Sequence, residues 1–202
     1  CPSTTAMALV YPLIKNTSIA LGAQNCSQFS QGPYTGEVTA TTLKEVGCSY
    51  CIIGHSERRH LLHESNTIIA QKVEQASNAG LIPILCIGQK DMKSSIDATM
   101  HVLQGQLGPL NKMLHNRMVE KIVLMIAYEP VGAIGTGNVP STSYLCELYE
   151  RLHKYLDHWR YKGISIQLLY GGSVNEETIA HLIRIDYLDG FLIGRASLDF
   201  QK

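Results

Sequence analysis

Ala127-Tyr128-Glu129-Pro130-Val131-Gly132-Ala133-Ile134-Gly135-Thr136-Gly137 sets a carboxylate between an apolar run and a glycine-spaced loop. Just upstream, Ile122-Val123-Leu124-Met125-Ile126-Ala127 is apolar without alternation, as expected of a strand buried on both faces of a parallel sheet. Glu129 therefore falls at the strand's C-terminal end, where parallel α/β proteins bind their ligands. Pro130 ends the backbone pairing, and Gly135 and Gly137 let the chain approach a ligand closely. The stretch reads as a catalytic base followed by a lid. A Glu-Pro pair alone also fits a plain strand exit into solvent, so the decision rests on what the other strands carry.

Composition narrows the class. The 202 residues are 45% hydrophobic and 17% charged, with 17 basic and 17 acidic side chains, which describes one globular domain with a substantial core. A net charge of zero and a pI near 7.2 give no overall attraction for nucleic acid or anionic lipid. No apolar run approaches the ~20 residues needed to cross a bilayer, and no basic-then-apolar leader opens the chain, so the expectation is a cytoplasmic protein without membrane or nucleic-acid partners. The six cysteines, Cys1, Cys26, Cys48, Cys51, Cys86 and Cys146, are scattered in mostly apolar surroundings and read as reduced core thiols. Cys48 and Cys51 match C-x-x-C only nominally, because residues three apart on a strand face opposite ways. His60 and His63 lack the further ligands that a zinc site needs. No metal is expected.

The chain opens on Cys1-Pro2-Ser3 without an initiator methionine, which reads as a processed or truncated product. Thr5 is expected to cap a short helix through about Leu13, and Ile19-Ala20-Leu21-Gly22-Ala23 to form a strand. Residues 24 to 37 form a long polar loop, of the kind that reaches a ligand or partner. From there apolar runs alternate with amphipathic helices. The further strands fall at 50–53, 82–87, 122–127, 164–169 and 190–193, with helical periods through Ile68 to Ala76, through Met100 to Leu107, from Ser141 toward Trp159, and from Glu176. Alternation predicts one parallel α/β domain over 1–202, with no linker, repeat or low-complexity segment.

The loops after these strands carry His55, Glu57 and Glu129 as titratable groups, with Gly135, Gly171, Gly172, Ser173 and Gly194 able to offer backbone N–H groups to an anion. Any one of these glycines is readily a turn residue; glycine-bearing loops gathered around one His and one Glu point to a site. Gly54-His55-Ser56-Glu57-Arg58-Arg59, Ala127-Tyr128-Glu129-Pro130-Val131 with Ala133-Ile134-Gly135-Thr136-Gly137, and Tyr170-Gly171-Gly172-Ser173-Val174 closely resemble, in order and spacing, the signatures of the triosephosphate isomerase family.

That resemblance implies a (β/α)8 barrel that interconverts dihydroxyacetone phosphate and glyceraldehyde 3-phosphate without a cofactor, as part of glycolysis and gluconeogenesis. It implies a homodimer in which the loop around Tyr34-Thr35-Gly36-Glu37 reaches toward the partner's active site. By the same resemblance Glu129 is the base, His55 polarises the carbonyl as a neutral imidazole, and Glu57 is a supporting carboxylate. The substrate phosphate rests on N–H groups of Gly135, Ser173, Gly194 and Arg195, and the 130–137 loop closes over the enediolate. The family is itself the standing example of such pKa tuning and lid closure, so these roles are carried over from it.

Against the family pattern, the chain is expected to lack the first strand and helix, including an Asn and a catalytic Lys, most of the second strand, and the last helix. Barrels of this kind usually take about 250 residues. Gly132 stands where the family has a lid Trp, Gln89 where it has a loop Glu, and Arg195 where it has a second Gly. The alternative to an active isomerase is an inactive barrel fragment with a structural or dimerising role.

Overall fold

The computed structural model describes residues 1–115, 122–133 and 139–198. Its centre is a six-stranded parallel sheet whose spatial order follows the chain, β1-β2-β3-β4-β5-β6. The strands are β1 (Gly22–Ala23), β2 (Tyr50–Ile53), β3 (Ile82–Ile87), β4 (Val123–Tyr128), β5 (Ser165–Tyr170) and β6 (Gly190–Phe191). Sequential order with helical crossovers is the arrangement of a barrel wall, in which each strand lies beside the next.

The longest pairings are central. Registers run Ile84↔Met125 to Ile87↔Tyr128 and Val123↔Ser165 to Tyr128↔Tyr170. β3, β4 and β5 are nearly all apolar because both faces are covered, and Leu85, Ile126 and Leu168 are almost fully buried. On one side pack helices α4 (Asn66–Asn78), α5 (Ile96–His115) and α6 (Thr142–Arg160), which seat Ile69, Val73, Leu103, Leu107, Leu148, Leu152 and Trp159 in the main core. Ile84, Cys86, Ala127 and Leu169 form a separate buried cluster.

Helix starts follow local chemistry. Ser141 caps α6 by accepting from the Tyr144 N–H, Ser65 caps α4 by accepting from Ile68, and Asn175 with Thr178 forms a reciprocal capping box on α7 (Glu176–Leu182).

Near the N-terminus the expected elements are shifted. Thr5 caps nothing: Thr4–Ala6 is a 3-10 turn, and α1 (Met7–Ile14) starts after Ala6 without a side-chain cap. The expected strand at 19–23 shrinks to Gly22–Ala23, since β1 has only β2 as a neighbour and pairs only at Gly22↔Tyr50 and Ala23↔Cys51. For the same reason β6 pairs only at Gly190 and Phe191. The helical period expected through Ile68 to Ala76 is α4, opened by Ser65, and a separate short α3 (Ser56–His60) precedes it. Cys48 and Cys51 go separate ways, Cys48 Sγ to Met7 Sδ at 3.8 Å and Cys51 to the Ile52 carbonyl and the Cys26 thiol.

Candidate active site

Parallel strands put the ends of β2, β4, β5 and β6 at one edge of the sheet, and with them His55, Glu129, Ser173, Gly194 and Arg195. His55 and Glu129, 74 positions apart, meet there: His55 Nε2 lies 3.4 Å from Glu129 Oε1.

Local backbone geometry orients the imidazole. Gly54 takes φ +71°, a left-handed turn that a Cβ would strain, and delivers His55 to the N-cap of α3. There Nδ1 accepts from the Glu57 N–H at 3.4 Å, while the Glu57 carboxylate stands 3.6 Å from the same atom. The two contacts ask for opposite tautomers. We favour the N–H, because the Glu57 side chain is 72% exposed and water competes for it. An accepting Nδ1 leaves the ring proton on Nε2, facing Glu129. With α3 only five residues long, this single directed N–H, rather than a helix dipole, orients the ring.

Glu129 is 2% exposed, and its hydrogen bonds are weak for a carboxylate. Oε2 accepts from the Ser56 N–H at 3.3 Å, Oε1 faces His55, and the Cys86 thiol donates to the carboxylate. Burial therefore wins: loss of solvent raises its pKa above the ordinary 4.5, against the smaller lowering effects of His55, Cys86, Ser56 and Arg59. Burial likewise pushes the Cys86 thiol well up, reinforced by the neighbouring carboxylate's charge, which keeps it a donor.

The glycines nearest Glu129 are there for space. A Cβ on Gly171 would lie 2.8 Å from Glu129 Cγ, so the Tyr170-Gly171-Gly172-Ser173 loop approaches the carboxylate as only glycine permits. Beneath the loop that follows Glu129, buried Gln89 accepts from the Tyr128 hydroxyl at 3.1 Å through Oε1 and from the Val131 N–H at 3.0 Å through its carbonyl. Gly132 packs against Met92, whose Cγ occupies the place a Cβ would take.

Of the residues expected to hold an anion, Ser173 is half-buried ahead of α7, and Gly194 and Arg195 are exposed at the start of the Arg195–Leu198 3-10 turn. Gly135 lies outside the described residues. Sequence reading took Cys86 for a core thiol and passed over Arg59, though Arg59 sits in the quoted His55 motif. Among the described residues, no group of three His, Cys, Asp or Glu could hold a metal ion, and no helix is long and apolar enough to cross a membrane.

Parallel wall, outer helices and a cluster of titratable groups at the strands' C-terminal ends define an α/β-barrel enzyme. The family model for triosephosphate isomerase matches residues 1–202. Triosephosphate isomerase of Dictyoglomus thermophilum is 40% identical over 204 residues, covering 100% of this chain and 81% of the relative. That of Magnetococcus marinus is 40% identical over 200 residues, covering 98% and 78%. A crystal structure of triosephosphate isomerase from Bartonella henselae superposes with a TM-score of 0.83 at 35% identity, covering 98% of this chain and 80% of that one. The chain belongs to the triosephosphate isomerase family, and it is an isomerase of triose phosphates with the TIM-barrel fold, spanning about four-fifths of these relatives' length.

Proposed function

We propose that the isomerisation proceeds by proton transfer through an enediolate, with Glu129 as the base and His55 as the electrophile. The observation that carries this reading is the 3.4 Å approach of His55 Nε2 to Glu129 Oε1 in a site where the carboxylate is 2% exposed. Turned toward a bound triose phosphate, Glu129 takes a proton from the carbon beside the carbonyl and returns it to the neighbouring carbon. His55 Nε2–H hydrogen-bonds the carbonyl oxygen, where negative charge develops. Glu57 supports from its exposed position beside Nδ1. The phosphate rests on N–H groups of Gly135, Ser173, Gly194 and Arg195, and no cofactor takes part. Because a buried carboxylate is a stronger base than an exposed one, its raised pKa suits removal of a carbon-bound proton.

The protein is further read as a cytoplasmic homodimer, joined through the loop around Thr35. In support, Phe29 and Tyr34 stack with centroids 4.1 Å apart in that loop, while both stay partly exposed. Monomeric sedimentation of the full protein at micromolar concentration would contradict the dimer.

The base assignment has a pH consequence. In kcat/KM the acidic limb reports the free enzyme's base, and is expected above the ordinary carboxylate value of 4.5. Stability follows the same sign. A folded-state pKa above the unfolded one means that the native state holds the proton longer, so the contribution is full below the unfolded pKa and lost as pH rises through the folded one. Glu129→Gln is therefore expected to melt higher than the wild type at about pH 7, with the gap narrowing toward about pH 4. Thermal scans across that range check it, and a lower melting temperature at neutral pH would count against a strained buried carboxylate.

Gly132 alters a second expectation. A glycine in place of a bulky anchor predicts a looser lid and more phosphate elimination, relieved by Gly132→Trp. In the structure Met92 already fills the space beside Gly132. Gly132→Trp alone is thus expected to collide with Met92 and impair turnover. Combined with Met92→Ala it should lower the ratio of methylglyoxal formation to isomerisation relative to Met92→Ala alone. An equal ratio in the two proteins would refute the anchor.

A further inference from the structure

The Gly54-His55-Ser56-Glu57-Arg58-Arg59 stretch contains an arginine to which the mechanism gives no task. Arg59 is half-buried on α3, and its fork is fully directed: Nε donates to the Gly54 carbonyl at 2.7 Å, Nη2 to the Cys86 carbonyl at 2.8 Å, and Nη1 to Asn66 Oδ1 at 2.7 Å. No carboxylate is among these partners. A guanidinium withdrawn from water onto neutral acceptors alone is an expensive arrangement, and a stabilising surface arginine would be placed otherwise.

The choice of carbonyls is informative. β2 and β3 pair in register from Tyr50↔Ile82 to Ile53↔Leu85, and the next residues on each strand are Gly54 and Cys86. Arg59 thus adds a side-chain rung just past the last backbone register pair. Gly54 is bonded directly to His55, and Cys86 carries the thiol that donates to Glu129. Room for the fork depends on Gly54, since a Cβ there would lie 3.0 Å from Arg59 Nη2 and 3.0 Å from Ile69 Cγ2.

Resting on the reading of His55 and Glu129 as the proton-transfer pair, we propose that Arg59 is their positioning residue. Its fork ties the β2 exit that carries His55 to Cys86 on β3, whose thiol meets Glu129 beyond the end of β4, and its charge lies close enough to favour the ionised Glu129 carboxylate. Among the described residues, the titratable and charged groups acting on that carboxylate are His55 from the β2–α3 turn, the Cys86 thiol from β3 and Arg59 from α3, while Gly171 after β5 brings none. Arg59 itself also feels Cys86 and Glu64, and His60 feels Arg59 and Lys90. Removing the Arg59 charge must make Glu129 harder to ionise, because a positive neighbour favours the charged carboxylate.

The test is a pH–rate comparison of Arg59→Lys and Arg59→Met in the full protein, assayed well below each melting temperature. Arg59→Lys keeps the charge but cannot span both carbonyls. It should lose ~10-fold or more in kcat with the acidic limb of kcat/KM unmoved. Arg59→Met should lose at least as much and also shift that limb to higher pH, while KM moves less than about threefold, because the phosphate loops are untouched. Asn66→Ala removes one acceptor without freeing either carbonyl, and should leave kcat near native. If Arg59→Met does not fold, the Arg59→Lys and Asn66→Ala pair still decides between positioning and mere packing. Arg59→Lys with native kcat, or Arg59→Met with a native limb and rate despite a lower melting temperature, would overturn the proposal. A Glu129→Gln protein that retained native turnover would overturn the underlying pair instead, so the two failures are distinguishable.

Discussion

Glu129→Gln is expected to remove isomerisation while leaving affinity for a phosphate ligand largely intact. The amide keeps the shape of the side chain and can still accept from the Ser56 N–H that Glu129 Oε2 meets at 3.3 Å. What it cannot do is take a proton from carbon. Loss of a general base commonly costs ~10²–10⁴ in rate, and the expected loss in kcat lies at or beyond the upper end, since among the described residues Cys86, a raised-pKa thiol, is the only titratable proton carrier in contact with this carboxylate besides His55. Steady-state kinetics beside inhibitor titration checks both halves. Turnover within tenfold of the wild type would remove Glu129 from its role.

Gly88→Ala is expected to have the largest effect on stability. A Cβ there would run into the Glu129 carbonyl oxygen and lie 2.6 Å from its carbonyl carbon, so the obstacle is backbone and not a movable side-chain tip. Neither chain can step aside. Gly88 is held from α5 by Gln106, which accepts from its N–H at 2.9 Å and donates to its carbonyl at 2.8 Å. The opposite chain is held by the Glu129 N–H on the Ile87 carbonyl at 2.7 Å and by the Val131 N–H on the Gln89 carbonyl at 3.0 Å. Overpacking commonly costs 1–3 kcal/mol, and with both backbones pinned the loss should reach about 3 kcal/mol, with Glu129 displaced and activity reduced. Denaturant midpoints measure the first effect. A loss under about 1 kcal/mol would mean that the β3 and β4 exits are far more pliable than these bonds imply.

Which parts of this were legible in the sequence follows from where the information sits. β3, β4 and β5 could be placed because both faces are buried and their runs are unbroken. β1 and β6 are expected too long, since Ile19 and Ile193 are as apolar as a strand residue but lie outside the two register pairs that each of these strands makes with its single neighbour in the described sheet; they stand 64% and 43% exposed. Helices with a side-chain cap, such as α6 at Ser141, were found at their first turn, whereas α1 lacks one and was misplaced at Thr5. His55 and Glu129 stood out because titratable side chains right after apolar strands are conspicuous. Cys86 did not, being one apolar-looking residue inside a buried strand whose thiol meets Glu129 only in the fold. Arg59 was visible as a letter of a motif, but its partners Gly54, Asn66 and Cys86 are assembled by the β2–β3 register and the short α3. Gly132 was recognised as a departure from the family, while its neighbour Met92 lay on another loop and carried no signal.

The central claim is that Glu129 moves a carbon-bound proton while His55 polarises the neighbouring carbonyl. Hydrogen exchange at the carbon beside the carbonyl of dihydroxyacetone phosphate, followed by NMR in D2O with the full protein, isolates that step from product release. The account predicts rapid uptake of a single deuterium by the wild type, slower uptake with His55→Gln by roughly 10²–10³, as for loss of one donor to a developing oxyanion, and none above background with Glu129→Gln. Deuterium uptake by Glu129→Gln at the wild-type rate would contradict it.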